Sequence, residues 1–120
     1  MAPGGAPGGA AGRRPPPPPQ WTDPATGFLR RSVSPPQAGL RAELVEGTLP
    51  SGARIAYDGP SVPGLEHHLW LLSGQLELTV QEEVHRLAPG DTLRYRLWGR
   101  SAFHAPGPDP ARYLLALVLP

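Results

Sequence analysis

Short apolar runs, each halted by turn-forming residues, constrain this chain more than any other feature. From residue 28 onward, stretches rich in Leu, Val, Ile, Phe and Tyr alternate with Gly, Pro, Ser and Asp. Residues 28–33 are closed by Ser34-Pro35-Pro36, residues 40–49 by Pro50-Ser51-Gly52, and residues 53–57 by Asp58-Gly59-Pro60. Residues 68–72 lead through Ser73-Gly74 into 75–81, and 84–87 stop at Ala88-Pro89-Gly90-Asp91. Residues 92–97 stop near Gly99, and 112–119 form the last run. No window of about eleven residues keeps apolar side chains at i, i+3, i+4 and i+7 between helix caps. Strands this short, at intervals of about 8–12 residues, build a sandwich or a barrel. The expected fold class is all-β.

Alternation gives the runs two faces. Leu76, Leu78 and Val80 share one side, and Gln75, Glu77, Thr79 and Gln81 the other. Leu93, Tyr95 and Leu97 likewise oppose Thr92, Arg94 and Arg96. Successive strand side chains point to opposite faces, so each run turns one side inward and the other to solvent or a second sheet. The polar break Gln81-Glu82-Glu83 predicts a hairpin over residues 75–87. Tyr113-Leu114-Leu115-Ala116-Leu117-Val118-Leu119 is apolar on both faces, which predicts a central strand.

Composition divides the chain in two. The first 20 of the 120 residues hold seven of the 18 Pro and five of the 15 Gly, with no Leu, Ile, Val or Phe. Such a segment buries too little apolar surface to offset chain entropy, so residues 1–20 are expected to be a disordered Pro/Gly-rich tail. Pro15 to Pro19 predict a short polyproline II rod, read as a flexible tether with a docking peptide as the alternative. The remaining hundred or so residues suffice for one small domain. No apolar run approaches the ~18 residues of a membrane-spanning helix, and no secretory signal is present, so a cytoplasmic location without membrane contact is expected. With no Cys, disulfides, thiolate metal sites and Cys nucleophiles are excluded. All eleven basic side chains are Arg, and residues 21–120 carry nine of them against ten Asp plus Glu. A phosphate-holding protein usually shows a clustered basic excess, and this domain has none, so direct DNA binding is not expected.

Three segments carry a family likeness. Trp70-Leu71-Leu72-Ser73-Gly74-Gln75-Leu76-Glu77-Leu78, then Leu87-Ala88-Pro89-Gly90-Asp91-Thr92-Leu93, then Phe103-His104-Ala105-Pro106-Gly107 together resemble the cupin superfamily. Trp21-Thr22-Asp23-Pro24-Ala25-Thr26-Gly27 and Leu29-Arg30-Arg31, followed by Ser34-Pro35-Pro36, are more narrowly similar to another stretch. They look like the lead-in to the C-terminal cupin sensor of bacterial XRE-type helix-turn-helix transcriptional regulators. The resemblance spans residues 21–120 and implies a small double-stranded β-helix, a jelly-roll-like barrel. Independently of the family, Gly74 permits a sharp turn between two buried strands. Pro89-Gly90-Asp91 supplies a fixed φ followed by a permissive one.

The same resemblance raises the question of metal. Metal-binding cupins take two His spaced H-x-H and a Glu from the first motif, and one more His from the second. These ligands suit Mn, Fe, Ni or Zn. Placed on Gly74, the Glu position is His67, and the H-x-H stretch is Pro60-Ser61-Val62-Pro63, which contains no His. Placed on Pro106-Gly107, the last ligand is Ser101. His67 and His68 are adjacent and point to opposite faces, so they do not chelate one ion together. A rearranged set of Glu66, His67 and His104 is the remaining metal alternative. The expectation is no metal and no cofactor.

Other chemistry is weaker still. No G-x-S-x-G elbow, phosphate-binding Gly loop or H-E-x-x-H is present. Nothing orients Ser101, His104 and Asp109 as a triad. Arg94-Tyr95-Arg96-Leu97-Trp98-Gly99-Arg100 imitates a stacking platform, but alternation turns Tyr95 inward and leaves Arg94 and Arg96 in solvent. No catalytic residue is assigned. Family analogy and alternation instead point His67, Leu69, Leu71, Leu93, Tyr95, Ser101 and Phe103 into the barrel. There they form a mostly apolar pocket for an unidentified small molecule, with a filled core as the alternative.

Taken together, these features predict a non-enzymatic, small-molecule-sensing or dimerising cupin domain. It resembles the sensor half of a regulator without the DNA-binding half. The alternative is a metal-dependent cupin enzyme, an isomerase or dioxygenase, with a non-standard ligand set.

Overall fold

The computed structural model describes residues 19–120. The predicted disordered tail and polyproline rod fall almost wholly on residues 1–18, outside the described part. Ten strands follow: β1 (Gln20–Thr22), β2 (Leu29–Ser34), β3 (Ala42–Leu49), β4 (Arg54–Tyr57), β5 (Leu65–Ser73), β6 (Leu76–Val80), β7 (Glu83–Leu87), β8 (Thr92–Leu97), β9 (Ser101–His104) and β10 (Ala111–Val118). No helix occurs among the described residues. All pairings are antiparallel, in a six-stranded sheet ordered β1-β2-β3-β10-β5-β8 and a four-stranded sheet ordered β4-β9-β6-β7. The expected all-β barrel is therefore present. None of the described residues forms a helix long and apolar enough to cross a membrane.

Strand boundaries follow side-chain patterning. The β5 side chains alternate, with Leu65, His67, Leu69 and Leu71 buried and Glu66, His68, Trp70 and Leu72 less so. This strand begins three residues earlier than the apolar run predicts. Glu66 and His67 are polar, but they satisfy the ladder to β10 and β8 through the backbone, and His67 is buried with its Leu neighbours. The two-faced run becomes β10, central in its sheet, paired with β3 on one side and β5 on the other. Between the sheets lie Leu49, Leu69, Leu71, Leu76 and Leu78, each almost wholly removed from water. Burying one such side chain is worth roughly 1.5–3 kcal/mol.

Two turns decide the topology. Gly74 lies at φ +77° where the chain passes from β5 in one sheet to β6 in the other. A Cβ there would sit 2.1 Å from the Pro110 carbonyl oxygen and 2.9 Å from the Ala111 Cα. The Gly is needed both for its backbone angle and for close approach. The predicted hairpin is β6–β7, with Val80 opposite Glu83 and a two-residue loop of Gln81 (φ 51°) and Glu82 (φ 73°). That is the primed turn whose twist matches its strands, made without Gly or Asn. The Gln81 N–H donates to the Arg100 carbonyl (3.1 Å), anchoring the loop to its neighbour.

Gly74→Ala and Gly90→Ala separate the two demands on glycine. Gly90 also lies at positive φ (93°), but an added Cβ meets nothing within 4 Å. Gly90→Ala is expected to cost only the left-handed penalty, about 1–2 kcal/mol. Gly74→Ala adds a backbone clash and is expected to cost more than about 3 kcal/mol. Urea unfolding of the two variants beside the parent checks the difference.

Candidate ligand cavity

Register sets the rows of side chains on the inner face of the larger sheet. Glu43 on β3 stands opposite Leu117 on β10, Leu117 opposite His67 on β5, and His67 opposite Tyr95 on β8. The next row is Val45, Leu115, Leu69 and Leu93. A third runs from Arg30 on β2 through Gly47 and Tyr113 to Leu71. Gly47 matters here because a Cβ would lie 2.5 Å from the Tyr113 ring. Its bare backbone is the bed on which that phenol lies.

Between this face and the smaller sheet is a cavity of about 250 Å³. Its inner walls are Leu65, Leu97, Phe103, Tyr113 and Leu115, with His67 from β5 and Ser101 from β9 as buried polar groups. Exposed Arg30, Tyr57 and Ser61 mark the mouth, beside half-buried Glu43. Aromatic rings form one side. Phe28 and Tyr113 lie 6.4 Å apart and 12° from parallel, Tyr113 and Phe103 5.5 Å and 16°, and Tyr57 meets Phe103 edge-on at 6.0 Å. Such pairs add roughly 0.5–1.5 kcal/mol each beyond area burial, which makes the wall stiff.

His67 is the chemical centre of the cavity. Only 6% exposed, it shares a 3.0 Å hydrogen bond between Nδ1 and the Tyr95 hydroxyl, and its Nε2 is buried without a partner. Burial, with the neighbouring His68 adding a smaller push, lowers its pKa from 6.5 to about 4, so the ring is neutral at pH 7. Burial likewise raises the Tyr95 and Tyr113 phenols, which stay protonated. Tyr95 therefore keeps a proton to donate. With Tyr95 donating to Nδ1 the imidazole proton lies on Nε2, and with Tyr95 accepting from Nδ1–H the Nε2 is an acceptor.

The seven residues predicted to line the pocket separate into two groups. His67, Ser101 and Phe103 line the cavity. Leu69 and Leu71 are packed into the core (1% and 0% exposed), while Leu93 and Tyr95 pack against that core from β8. Tyr95 meets the site through His67. Sequence reasoning missed Phe28, Arg30, Glu43, Tyr57 and Tyr113. For Tyr113 the available signal was Gly47, a small residue in a strand, whose partner becomes known only with the register.

The remaining polar candidates are dispersed. Glu66 accepts from His68 Nε2 at 2.5 Å on the outer face of the larger sheet, and that bond holds its carboxyl below the usual range. His104 and Glu77 pair at 3.2 Å between β9 and β6, which likewise lowers the Glu77 carboxyl. Glu66, His67 and His104 thus point to three different places, and His104 is not turned toward Ser101. Among the described residues no three His, Cys, Asp or Glu side chains cluster to hold an ion. One imidazole and one carboxylate, Glu43 two strands away, among serine and tyrosine hydroxyls do not fit the metal centre of metal-binding cupins.

No protein-family model matches the chain. No curated protein matches it in sequence. Solved structures do match in shape. The cupin-2 domain of an XRE-family transcriptional regulator from Enterobacter cloacae superposes with a TM-score of 0.72 at 20% identity, over 78% of this chain and 97% of that one. An HTH_3-family transcriptional regulator from Vibrio cholerae gives 0.73 at 18%, over 81% of this chain and 54% of the regulator. The chain thus spans about half of that regulator's length. The polyketide cyclase RemF from Streptomyces resistomycificus gives 0.62 at 17%, over 76% and 64%. The chain has the cupin-2 fold and is similar to domains found in both regulators and enzymes.

Burying a neutral imidazole makes stability depend on pH. Above pH 6.5 folded and unfolded chains both hold His67 neutral, and its contribution is fully present. As pH falls toward about 4, the unfolded chain takes a proton that the folded one refuses, and the contribution is lost. Between pH 7 and 4.5 the parent is expected to lose about 2–3 kcal/mol more than His67→Leu. Urea midpoints of both proteins at the two pH values measure it.

Proposed function

We propose that this domain binds a small organic molecule in its barrel without catalysing a reaction, and acts as a sensor. The supporting observation is His67. A buried nitrogen with no partner costs roughly 1–3 kcal/mol, and here it belongs to a ring that lines a cavity with apolar walls. A few convergent polar groups in an apolar cleft are the usual make-up of a ligand pocket. The likeness to regulator-borne cupin-2 domains is in keeping with sensing. The dispersed carboxylates and imidazoles support independence from metal and speak against the isomerase or dioxygenase alternative.

In this reading the protein works in the cytoplasm as a dimer and does not bind DNA or membrane by itself. Dimerisation is supported by the outer face of the larger sheet. There Leu44, Trp70, Leu114 and Ala116 line a shallow groove together with His68, Thr92 and Arg94, with Trp70 48% exposed. Light scattering at micromolar concentration is expected to give twice the chain mass, and Trp70→Glu to return the monomer.

Native mass spectrometry of the purified protein tests the sensor reading. The expected result is a metal-free chain retaining, or able to take up, a small organic molecule. Stoichiometric Fe, Mn, Ni or Zn that disappears in His67→Ala would overturn it in favour of the enzyme.

A further inference from the structure

The polarity of the cavity identifies a class of ligand. This step rests on the binding role proposed above and adds the chemistry of the occupant. His67 Nε2 is buried without a partner, and a proton placed there, with Tyr95 donating to Nδ1, would have no acceptor within the protein. Ser101, 5% exposed, and the Tyr113 phenol are the other polar groups on the inner walls, and the remaining inner contacts are Val45, Leu and Phe side chains.

The charges lining the cavity are Arg30 and Glu43, which are opposite in sign and lie at the mouth. Glu43 is two strands from His67, with Leu117 between them, and Arg30 is three strands from β5. At about 4.8 Å per strand, those backbones are roughly 10 and 14 Å away. Arg30 and Glu43 line the same cavity but sit at its mouth, on strands other than that of His67. A carboxylate or ammonium seated on His67 would lose more hydration than an uncharged acceptor.

Size and shape narrow the class further. The volume of about 250 Å³ lies below the usual range for drug-sized ligands, and the near-parallel Phe28, Tyr113 and Phe103 rings offer a flat wall. We propose that the cavity takes a small, uncharged, flat cyclic molecule whose carbonyl-type oxygen accepts a hydrogen bond from His67 Nε2–H. The Tyr95 hydroxyl holds the imidazole in the tautomer that donates.

Four probes of one shape test this: benzamide, benzoate, benzylamine and toluene. Each is titrated at pH 7.5 into the parent, His67→Leu and Arg30→Gln, with binding read by melting temperature and by NMR. Benzamide is expected to bind the parent about tenfold more tightly than toluene, the worth of one neutral hydrogen bond. It should also shift the His67 Nε2 resonance. In His67→Leu that advantage disappears while toluene still binds, which shows that the variant is folded and its cavity intact.

Three outcomes refute the proposal and are distinguishable. Benzoate binding above benzamide and lost in Arg30→Gln means a charged ligand held at the mouth. Benzamide and toluene binding equally means an apolar cavity in which His67 reads nothing, leaving the binding role intact. Failure of all four probes to raise the melting temperature or move cavity resonances removes the binding role itself.

Discussion

The structure depends on one strand being paired along both edges. β10 has β3 on one side and β5 on the other, and its inward residues Ala111, Tyr113 and Leu115 are almost wholly buried. Apolar on both faces and paired on both edges, β10 leaves its outward Leu114, Ala116 and Val118 only partly covered. Its two registers then align Glu43, Leu117, His67 and Tyr95 in a single row, so the register of the last strand assembles the cavity floor.

Within that frame, His67 is where stability and binding pull apart. Holding an imidazole among Leu side chains costs desolvation that the single bond from Tyr95 repays only in part, and it leaves Nε2 unanswered. A barrel built only to be stable would place Leu there, as at Leu65, Leu69 and Leu71 on the same face. An acceptor supplied from outside completes the hydrogen-bonding of the ring. The same neutrality that makes the group sensitive to acid makes it a donor to uncharged partners.

The outer surfaces follow a different logic. Glu66 with His68, Glu77 with His104 and Arg86, and Glu46 with Arg31 and Arg112 make cross-strand or neighbouring ion pairs. Half-exposed pairs of this kind are worth at most about 1 kcal/mol each, so they set surface register and solubility more than stability. They also occupy the imidazoles and carboxylates from which a metal centre might otherwise be assembled. Three of the four His thus lie away from the cavity, His85 pairing with Glu83 at 3.6 Å on β7.

Much of the architecture was legible in the chain itself, because period-two alternation and turn residues act locally. The β6–β7 hairpin, the Gly74 and Gly90 turns, the central place of β10 and the inward side of His67 all follow from neighbours within a few residues. The cavity's composition did not follow. Leu69 and Leu71 have the same alternation as His67, yet they pack into the core, because which inward residues meet a void depends on what faces them from the other sheet. Arg30, Tyr57 and Tyr113 come from three strands far apart in sequence and Phe28 from the loop before β2, and Tyr113 reaches the cavity because Gly47, brought beside it by register, leaves room. Local chemistry determined which side each strand turns inward. Only the packing of two sheets decided where the interior stays open and which buried polar atom beside it is left without a partner.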